Sequence, residues 1–321
     1  MKISVALCTY NGERHISEQL NSILSQSLSV TEIVICDDRS SDNTTAIIAE
    51  MGRENSELVK MHINSERLGS IKNFEQAIRL CEGDFIFLSD QDDVWDFQKV
   101  QTIISAFKNF PDINVIASNG NCLDGAEIIK NKISVWDIVA EIKKHNKVPN
   151  YFEIISVITN IATGATMALR RDFLKDLFDL PVIKDFHHDE WICLIAARNN
   201  QFLFMDEKLI NYRIHENQQV GIHFFDLKNT SLDYLLKPYK FNKTFDDYRH
   251  SLKLVSKRHN RNLTFAKNLH DYKDAQKLLL DSVEVSRDFF IRVRSEFKKE
   301  FPVKFFVLGI FDSITNKRKI G

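Results

Sequence analysis

The sequence predicts an α/β fold, a mostly parallel central sheet flanked by helices, followed by a helical C-terminal extension. Three observations predict it. Apolar runs without polar alternation, the form of strands covered on both faces, recur near residues 3–8, 32–36 and 85–88, and a further short strand fits residues 58–63. Segments with apolar residues at helical spacing lie between them, and that alternation implies right-handed crossovers between parallel strands. From about Phe224 the character changes to Leu, Lys, Asp and aromatic residues at helical spacing. The expected domains are therefore residues 1–223 and a helical extension over 224–321.

The elements follow in order. Residues 3–8 form the first strand, and Thr9-Tyr10-Asn11-Gly12 is a turn, Asn and Gly being suited to positive φ. A helix over about 13–26 carries Ile16, Leu20, Ile23 and Leu24 on one stripe. The second strand, 32–36, ends in Asp37-Asp38, and Ser41-Asp42-Asn43 can cap a helix reaching Met51. After the strand at 58–63 and a loop over 64–69, Ser70 can cap a helix bearing Ile71, Phe74, Ala77 and Ile78. The strand at 85–88 stops abruptly at Ser89-Asp90-Gln91-Asp92-Asp93, and a helix over 97–110 and a strand over 114–118 follow. Residues 120–160 are irregular apart from a helix near 135–144. Residues 161–169 read as a strand, and Asp172 can cap a short helix ending before Pro181. Phe186-His187-His188-Asp189-Glu190-Trp191 leads into an apolar helix over 192–197. Strands at 202–205 and 208–212 follow, and residues 213–217 close the region.

Composition bounds the function. With 44% hydrophobic residues the chain supports a sizeable core, and a net charge of −1 argues against a nucleic-acid partner. Five cysteines, an odd number without metal-site spacing, fit free thiols in a reducing cytoplasm. The apolar run at the N-terminus is too short for a signal peptide, and no stretch approaches the ~20 residues of a membrane span.

The chemistry gathers on one rim. Three parallel strands end in polar side chains: Thr9-Tyr10-Asn11, Asp37-Asp38 and Asp90-Gln91-Asp92. Ligands of open α/β sheets bind outside the carboxyl ends of strands. No G-x-G-x-x-G follows the first strand and no phosphate-loop motif occurs, so a standard dinucleotide site is disfavoured. Clustered carboxylates repel unless a cation or hydrogen-bond donors compensate, so Asp90, Asp92 and Asp93 mark either a divalent-metal site or an acidic turn that caps the next helix. The spacing does not match a calcium EF-hand loop.

Five pieces occur in order: Thr9-Tyr10-Asn11-Gly12, Asp37-Asp38-Arg39-Ser40-Ser41-Asp42, Arg67-Leu68-Gly69, Ser89-Asp90-Gln91-Asp92-Asp93-Val94-Trp95 and His188-Asp189-Glu190-Trp191. Together, over about the first 220 residues, they resemble a family 2 glycosyltransferase of the GT-A fold. The Ser-Asp-Gln-Asp-Asp-Val-Trp form and Tyr212-Arg213-Ile214-His215 are similar to bacterial rhamnosyltransferase-like members. Arg39 stands where the commoner Asp-Asp-Gly-Ser pattern has Gly. The resemblance implies a metal-dependent inverting glycosyltransferase that moves a sugar, rhamnose being one choice, from a dTDP- or UDP-sugar to a saccharide or lipid-linked saccharide in cell-surface polysaccharide synthesis. It implies that Thr9, Tyr10, Asn11, Asp37 and Asp38 cradle the nucleoside and that Arg67 reaches a phosphate, where the alternative is a solvated loop residue. Gly69 allows close backbone approach, and Asp90 bonds the ribose or the metal shell. Asp92 ligates Mg²⁺ or Mn²⁺, His215 being a further metal contact or a structural residue. Asp189 is the general base, the alternative being a helix cap, with Glu190 as the rival carboxylate. Trp191 offers a face to a sugar or packs in the core, and Gly164 lies on the acceptor side. A sugar-nucleotide nucleotidyltransferase is the enzymatic alternative, although Asn11-Gly12-Glu13-Arg14 makes a poor loop for it. A non-catalytic carbohydrate- or lipid-binding protein on the same scaffold is the other.

The tail lies outside the resemblance. Residues 287–319 hold nine Lys or Arg against four Asp or Glu, interleaved with seven Phe. A basic, Phe-rich amphipathic segment suits peripheral contact with an anionic membrane at the inner face of the plasma membrane. An ordinary helical subdomain or a homo-oligomer interface is the alternative.

Overall fold

Strand β1 (Ile3–Thr9) is buried along its whole length, as an apolar run without alternation requires. Around it the chain builds α1 (Ile16–Leu24), β2 (Glu32–Asp37), α2 (Thr44–Glu54), β3 (Val59–Ile63), α3 (Gly69–Leu80) and β4 (Phe85–Ser89). Then come β5 (Val94–Trp95), α4 (Lys99–Asn109), β6 (Val115–Asp124), β7 (Glu127–Ile128), β8 (Lys132–Ser134), α5 (Asp137–Lys144), α6 (Tyr151–Val157), β9 (Met167–Arg170), α7 (His188–Arg198) and β10 (Phe202–Ile214). The chain ends with β11 (Phe224–Asp226), α8 (Ser231–Leu236), α9 (Phe245–Lys267), α10 (Lys273–Glu300) and α11 (Pro302–Thr315). The computed structural model describes residues 1–125, 127–129, 132–144, 150–177, 179–215, 224–226, 231–240, 243–315 and 317–321. Residues 216, 217 and 223, which enter the sequence-based boundaries, lie outside them.

Contacts divide the chain into two compact units, Met1–Trp136 with Ala162–Phe224, and Asp137–Ile161 with Phe225–Gly321. The first holds a sheet of order β3-β2-β1-β4-β9-β6-β10-β5, with β7 paired to β6. Pairs β3–β2, β2–β1, β1–β4 and β6–β10 are parallel, whereas β9 runs antiparallel to both β4 and β6. The ends of β1, β2, β4 and β6 therefore share one rim, and the reversed β9 brings its beginning to that same rim. The mostly parallel sheet predicted from sequence is present. α1 and α3 bury the expected stripes, Ile16, Leu20 and Ile23 on one and Ile71, Phe74, Ala77 and Ile78 on the other. The five cysteines are buried free thiols.

Several local expectations differ. Ser70 lies inside α3, whose cap residue is Leu68, and Asp172 instead pairs with Lys175 at 2.6 Å on the surface. Residues 164–166 form a 3₁₀ turn before β9. The two strands expected over 202–212 are one strand, β10, whose register against β6 shifts on either side of Lys208. The charged Asp206-Glu207-Lys208 imitates a turn but is accommodated as a bulged stretch.

The second unit is helical, as the composition beyond Phe224 predicts. α6 also belongs to it. Its buried Tyr151, Phe152, Ile154 and Ile155 pack against α9 and α10, so residues 137–161 join the extension although the expected boundary lay at 223/224. Polar groups bind this core together: Arg258 Nε donates to the Ile155 carbonyl at 2.9 Å, and Ser282 Oγ to Ser156 Oγ at 2.8 Å. Among the described residues no helix is long and apolar enough to cross a membrane.

Candidate active site

Each strand end on the rim delivers its side chains through a local device. Thr9 Oγ1 donates to Asp37 Oδ2 at 2.7 Å, and Asp37 also accepts from the Ser40 backbone N–H at 2.8 Å and from its hydroxyl at 2.5 Å. Asp37 is fully buried with both carboxylate oxygens engaged in these bonds, so it fixes the turn. The turn contains Arg39 at φ 64°, the left-handed conformation that the more usual glycine supplies without strain. Arg39 Nη1 donates to the Ser65 carbonyl at 2.7 Å and helps hold it there.

Asp38 spans two loops. Its Oδ1 accepts from the Leu68 N–H at 2.7 Å and from Asn64 Nδ2 at 3.0 Å, and its Oδ2 from the Gly69 N–H at 2.9 Å. The carboxylate thus satisfies the first free N–H groups of α3 and sits at the positive end of its dipole, the work expected of Ser70. Gly69, at φ 75°, serves this backbone approach and does not itself line the cavity. Arg67, anchored nearby, lays its guanidinium over the Tyr10 ring at 3.7 Å. Tyr10 is fixed from the other side by Gln91, whose Oε1 accepts from the Tyr10 N–H at 2.8 Å and whose Nε2 donates to the Tyr10 carbonyl at 3.0 Å. Asn11, at φ 51°, bonds the Ser41 N–H at 2.8 Å and lines a second cavity rather than the first.

The carboxylate turn after β4 is clamped from beneath. The Arg213 backbone N–H donates to Asp93 Oδ1 at 3.0 Å, and its Nε to the Asp92 carbonyl at 2.8 Å. Its Nη2 pairs with Glu18 at 2.6 Å and its Nη1 with the Gly125 carbonyl at 2.7 Å. Asp93 is buried, and burial, with Asp92 and Asp90 beside it, raises its carboxyl well above the usual range. Lys99, also fully buried, donates to the Ala165 carbonyl at 2.7 Å and lies over the Trp95 ring at 4.0 Å. Burial lowers its ammonium to about 7 against the pull of Asp93 and Asp90. From sequence Asp93 is expected with Asp90 and Asp92 in a metal site or an acidic turn, and the structure buries it beneath that turn; Lys99 carries no expected role. The signal for Lys99 was a lone cation at the start of the apolar helix α4.

Asp92 and His215 meet directly, Oδ2 to Nε2, at 2.8 Å. Both face the second cavity, whose wall also holds Arg14 and His15. Among the described residues no group of three or more His, Cys, Asp or Glu converges as a closed metal site. One carboxylate oxygen and one imidazole nitrogen suit an open site for Mn²⁺ or Mg²⁺, whose remaining positions fall to ligand oxygens and water. The residues present therefore fit a divalent ion held jointly with a phosphorylated ligand.

Asp189 stands across the first cavity. It occupies the first turn of α7, one residue inside the helix, while the cap position is His187, whose side chain makes no cap bond. Asp189 Oδ1 accepts from the Glu190 N–H at 2.6 Å, and the Gly164 N–H also points to this carboxylate. Burial, then Glu190, raises its carboxyl to about 7. Burial, then Asp92 and Asp189, does the same for Asp90. One cavity is thus lined together by Thr9, Tyr10, Asp38, Arg67, Asp90, Gln91, Asp92, Gly164 and Asp189. His188 backs it, stacked on Phe74 with centroids 4.0 Å apart and with neither ring nitrogen partnered among the described residues; burial pushes it down to about 3, so it is neutral.

On the acceptor side, Trp191 takes the second of its two alternatives, the core, and Glu190 does not reach the cavity. Trp191 is fully buried, packs on Phe186 at 4.3 Å and donates to the Pro181 carbonyl at 3.2 Å, so it shows no face to the cavity. Glu190 is buried and is absent from the lining, because on α7 it points away from the side that carries Asp189.

Comparison with known proteins adds an independent line. The model of the family described as glycosyl transferase family 2 matches residues 4–178. The dTDP-rhamnosyl transferase RfbG of Shigella flexneri is 29% identical over 67% of this chain and 73% of its own length. A UDP-Glc:α-D-GlcNAc-diphosphoundecaprenol β-1,3-glucosyltransferase of Escherichia coli, WfgD, is 28% identical over 70% and 82%. An uncharacterized glycosyltransferase of Nostoc is 27% identical over 67% of this chain and 65% of its own, just under two thirds of that relative's length. Among solved structures, Staphylococcus aureus TarS 1-349 in complex with UDP-GlcNAc superposes with a TM-score of 0.51 at 19% identity, over 94% of this chain and 92% of that one. The mannosyltransferase PcManGT of Pyrobaculum calidifontis, in complex with GDP-Man and Mn²⁺, gives 0.50 at 14% identity over 98% and 80%. These likenesses carry the fold, a GT-A sheet with helices after it.

Proposed function

This chain belongs to glycosyl transferase family 2, and from that premise we propose that it transfers a sugar, with inversion, from a pyrimidine nucleoside-diphosphate sugar to a hydroxyl of a saccharide acceptor. The observation that supports the reading is the shared cavity that Asp189 lines together with Asp90, Asp92, Tyr10, Asp38 and Arg67.

The chain's residues divide the work. Tyr10 and the Arg67 guanidinium form a flat wall against which a base can stack. Asp38 Oδ2 accepts a single backbone N–H and keeps capacity for the ring N3–H that uracil and thymine share. Asp92 and His215 would hold Mg²⁺ or Mn²⁺ against the diphosphate; a manganese ion in PcManGT supports that part of the reading. An ion held there would supply positive charge against the departing nucleoside diphosphate. Asp90, which lines the same cavity, would bond the ribose or the ion's water shell. On the opposite side, the acceptor hydroxyl oxygen attacks the sugar's anomeric carbon, the bond to the diphosphate oxygen breaks, and Asp189 takes the hydroxyl proton. Gly164 lines the cavity beside that carboxylate, on the side proposed for the acceptor, and its missing side chain admits the His188 ring. The names of RfbG and WfgD support dTDP-rhamnose and UDP-glucose alike as donors, and a saccharide carried on a lipid diphosphate as acceptor, which would set the enzyme at the cytoplasmic face of a membrane.

Calorimetric titration with UDP and dTDP, with and without Mn²⁺, tests the donor half: binding that strengthens with the ion in wild type and loses that dependence in Asp92→Ala supports it. Donor hydrolysis tests the other half. Asp189→Ala should keep donor binding and lose turnover, and full turnover in that variant would remove Asp189 from the reaction.

A further inference from the structure

Helix α11 exposes what a soluble helix normally hides. None of its residues is buried, and Val303, Phe306, Val307, Ile310, Phe311 and Ile314 are each 50–79% exposed. At 100° per residue they fall within one arc of about 140°, a stripe free of charged side chains. The opposite side makes the helix's contacts with its own unit: the Phe305 ring meets Phe297 edge-on at 5.4 Å, and Lys304 lies over Phe245 and Phe301 at 5.0 and 5.5 Å. The apolar stripe is therefore the outward face, not a core face seen from outside.

Cations frame the stripe. Residues 294–319 hold seven Lys or Arg against three Asp or Glu. Of the acids, Asp312 is paired with Arg318. Lys298 and Lys299 at the end of α10, Lys304 on the flank of α11, and Lys317 and Lys319 after it are exposed. An isologous contact with a second copy would bring this positive frame against itself. A surface that is apolar within and anionic at its rim answers both halves of the pattern at once.

We propose that α11 is an interfacial helix that lies in the plane of an anionic phospholipid surface, with the Val303–Ile314 stripe among the acyl chains and the lysines at the headgroups. At 14 residues it is about 21 Å long, suited to lying on a bilayer and too short to span one. This deepens the membrane-linked part of the reading above and rests on it for biological purpose, but its observations belong to the helical unit alone.

The test is flotation of the full chain with vesicles of pure phosphatidylcholine and of phosphatidylcholine with 30% phosphatidylglycerol. Wild type is expected to float with the anionic vesicles about tenfold more than with the neutral ones, and to be released as salt rises. Val307→Asp/Ile310→Asp should abolish flotation. Lys298→Gln/Lys299→Gln/Lys304→Gln, which leaves the stripe intact, should weaken it. UDP titration on the same samples shows whether each variant is folded and whether the donor site stands independently. No flotation by wild type, equal flotation with both vesicles, or a dimer in light scattering that Val307→Asp/Ile310→Asp dissolves while vesicles are ignored would each overturn the proposal.

Discussion

Asp189 is asked to be two things at once, buried and basic. A carboxyl held up at about 7 by desolvation is half ionised near neutrality, where a general base is most effective. The turnover rate should therefore rise with pH through about 7 and level off above it. Asp189→Asn keeps the shape and removes the base; its rate should fall by about 10²–10⁴ and lose that pH limb, with the donor dissociation constant little changed. The same residue leaves a mark on stability. Its proton is held more tightly in the folded state than in the unfolded chain, whose aspartate ionises near 4, so its contribution to stability falls as pH rises from about 4 to about 7. Asp189→Asn removes that loss, and its melting temperature should gain on wild type across this window, a comparison that scanning calorimetry from pH 5 to 8 reads directly. Lys99 poses the opposite case. Truncating this fully buried side chain leaves the Ala165 carbonyl without its donor and a cavity beside Trp95, so Lys99→Ala should cost about 2–5 kcal/mol in urea unfolding.

At the scale of elements, the site depends on how closely β9 and α7 approach. A Cβ at Gly164 would lie 2.4 Å from His188 Nε2 and 3.3 Å from its Cε1, inside the ring's contact distance. The His188 ring is fully buried and stacked on Phe74, which opposes its displacement. Gly164→Ala should therefore push α7 outward, costing about 1–3 kcal/mol and shifting the neighbouring Asp189, so that turnover falls more than donor binding does. A crystal structure of the variant with α7 unmoved would refute this. The approach also explains what could and could not be read from sequence. Parallel strands announce the rim, because three apolar runs each end in polar groups at Thr9, Asp37 and Asp90. The reversal of β9 leaves no trace in Met167-Ala168-Leu169-Arg170, since a short buried strand looks the same in either direction. Asp38 as the cap of α3 was equally hidden, because cap and helix are 30 residues apart, whereas the local rule sees only Ser70. Trp191 shows a further limit: the same ring serves a sugar face or a core, and its burial beside Phe186 is decided by tertiary packing.

The whole chain joins two units of different construction, and their energetics should separate. The first holds every residue that faces the donor cavity. A ligand that binds it at a hundred times its dissociation constant adds about 2.7 kcal/mol by mass action to whatever unfolds with that cavity. The helical unit gains nothing from this, since its cohesion lies in contacts such as Tyr248 stacked on Phe297 at 5.3 Å and in its buried Ser–Ser and Arg–carbonyl bonds. UDP with Mn²⁺ should therefore move one calorimetric transition upward and leave a second in place. A single transition that moves as a whole would show that the units unfold together and that the division is one of contacts only. Hydrogen exchange can resolve the same question by segment. The amides of β1 and β4 should slow on ligand binding, those of α9 and α10 should not, and α11, with no buried residue, should exchange fastest in the helical unit under both conditions. Anionic vesicles should then slow α11 and leave β1 and β4 unchanged, the reverse of what the nucleotide does, and this double dissociation ties each unit to its own partner.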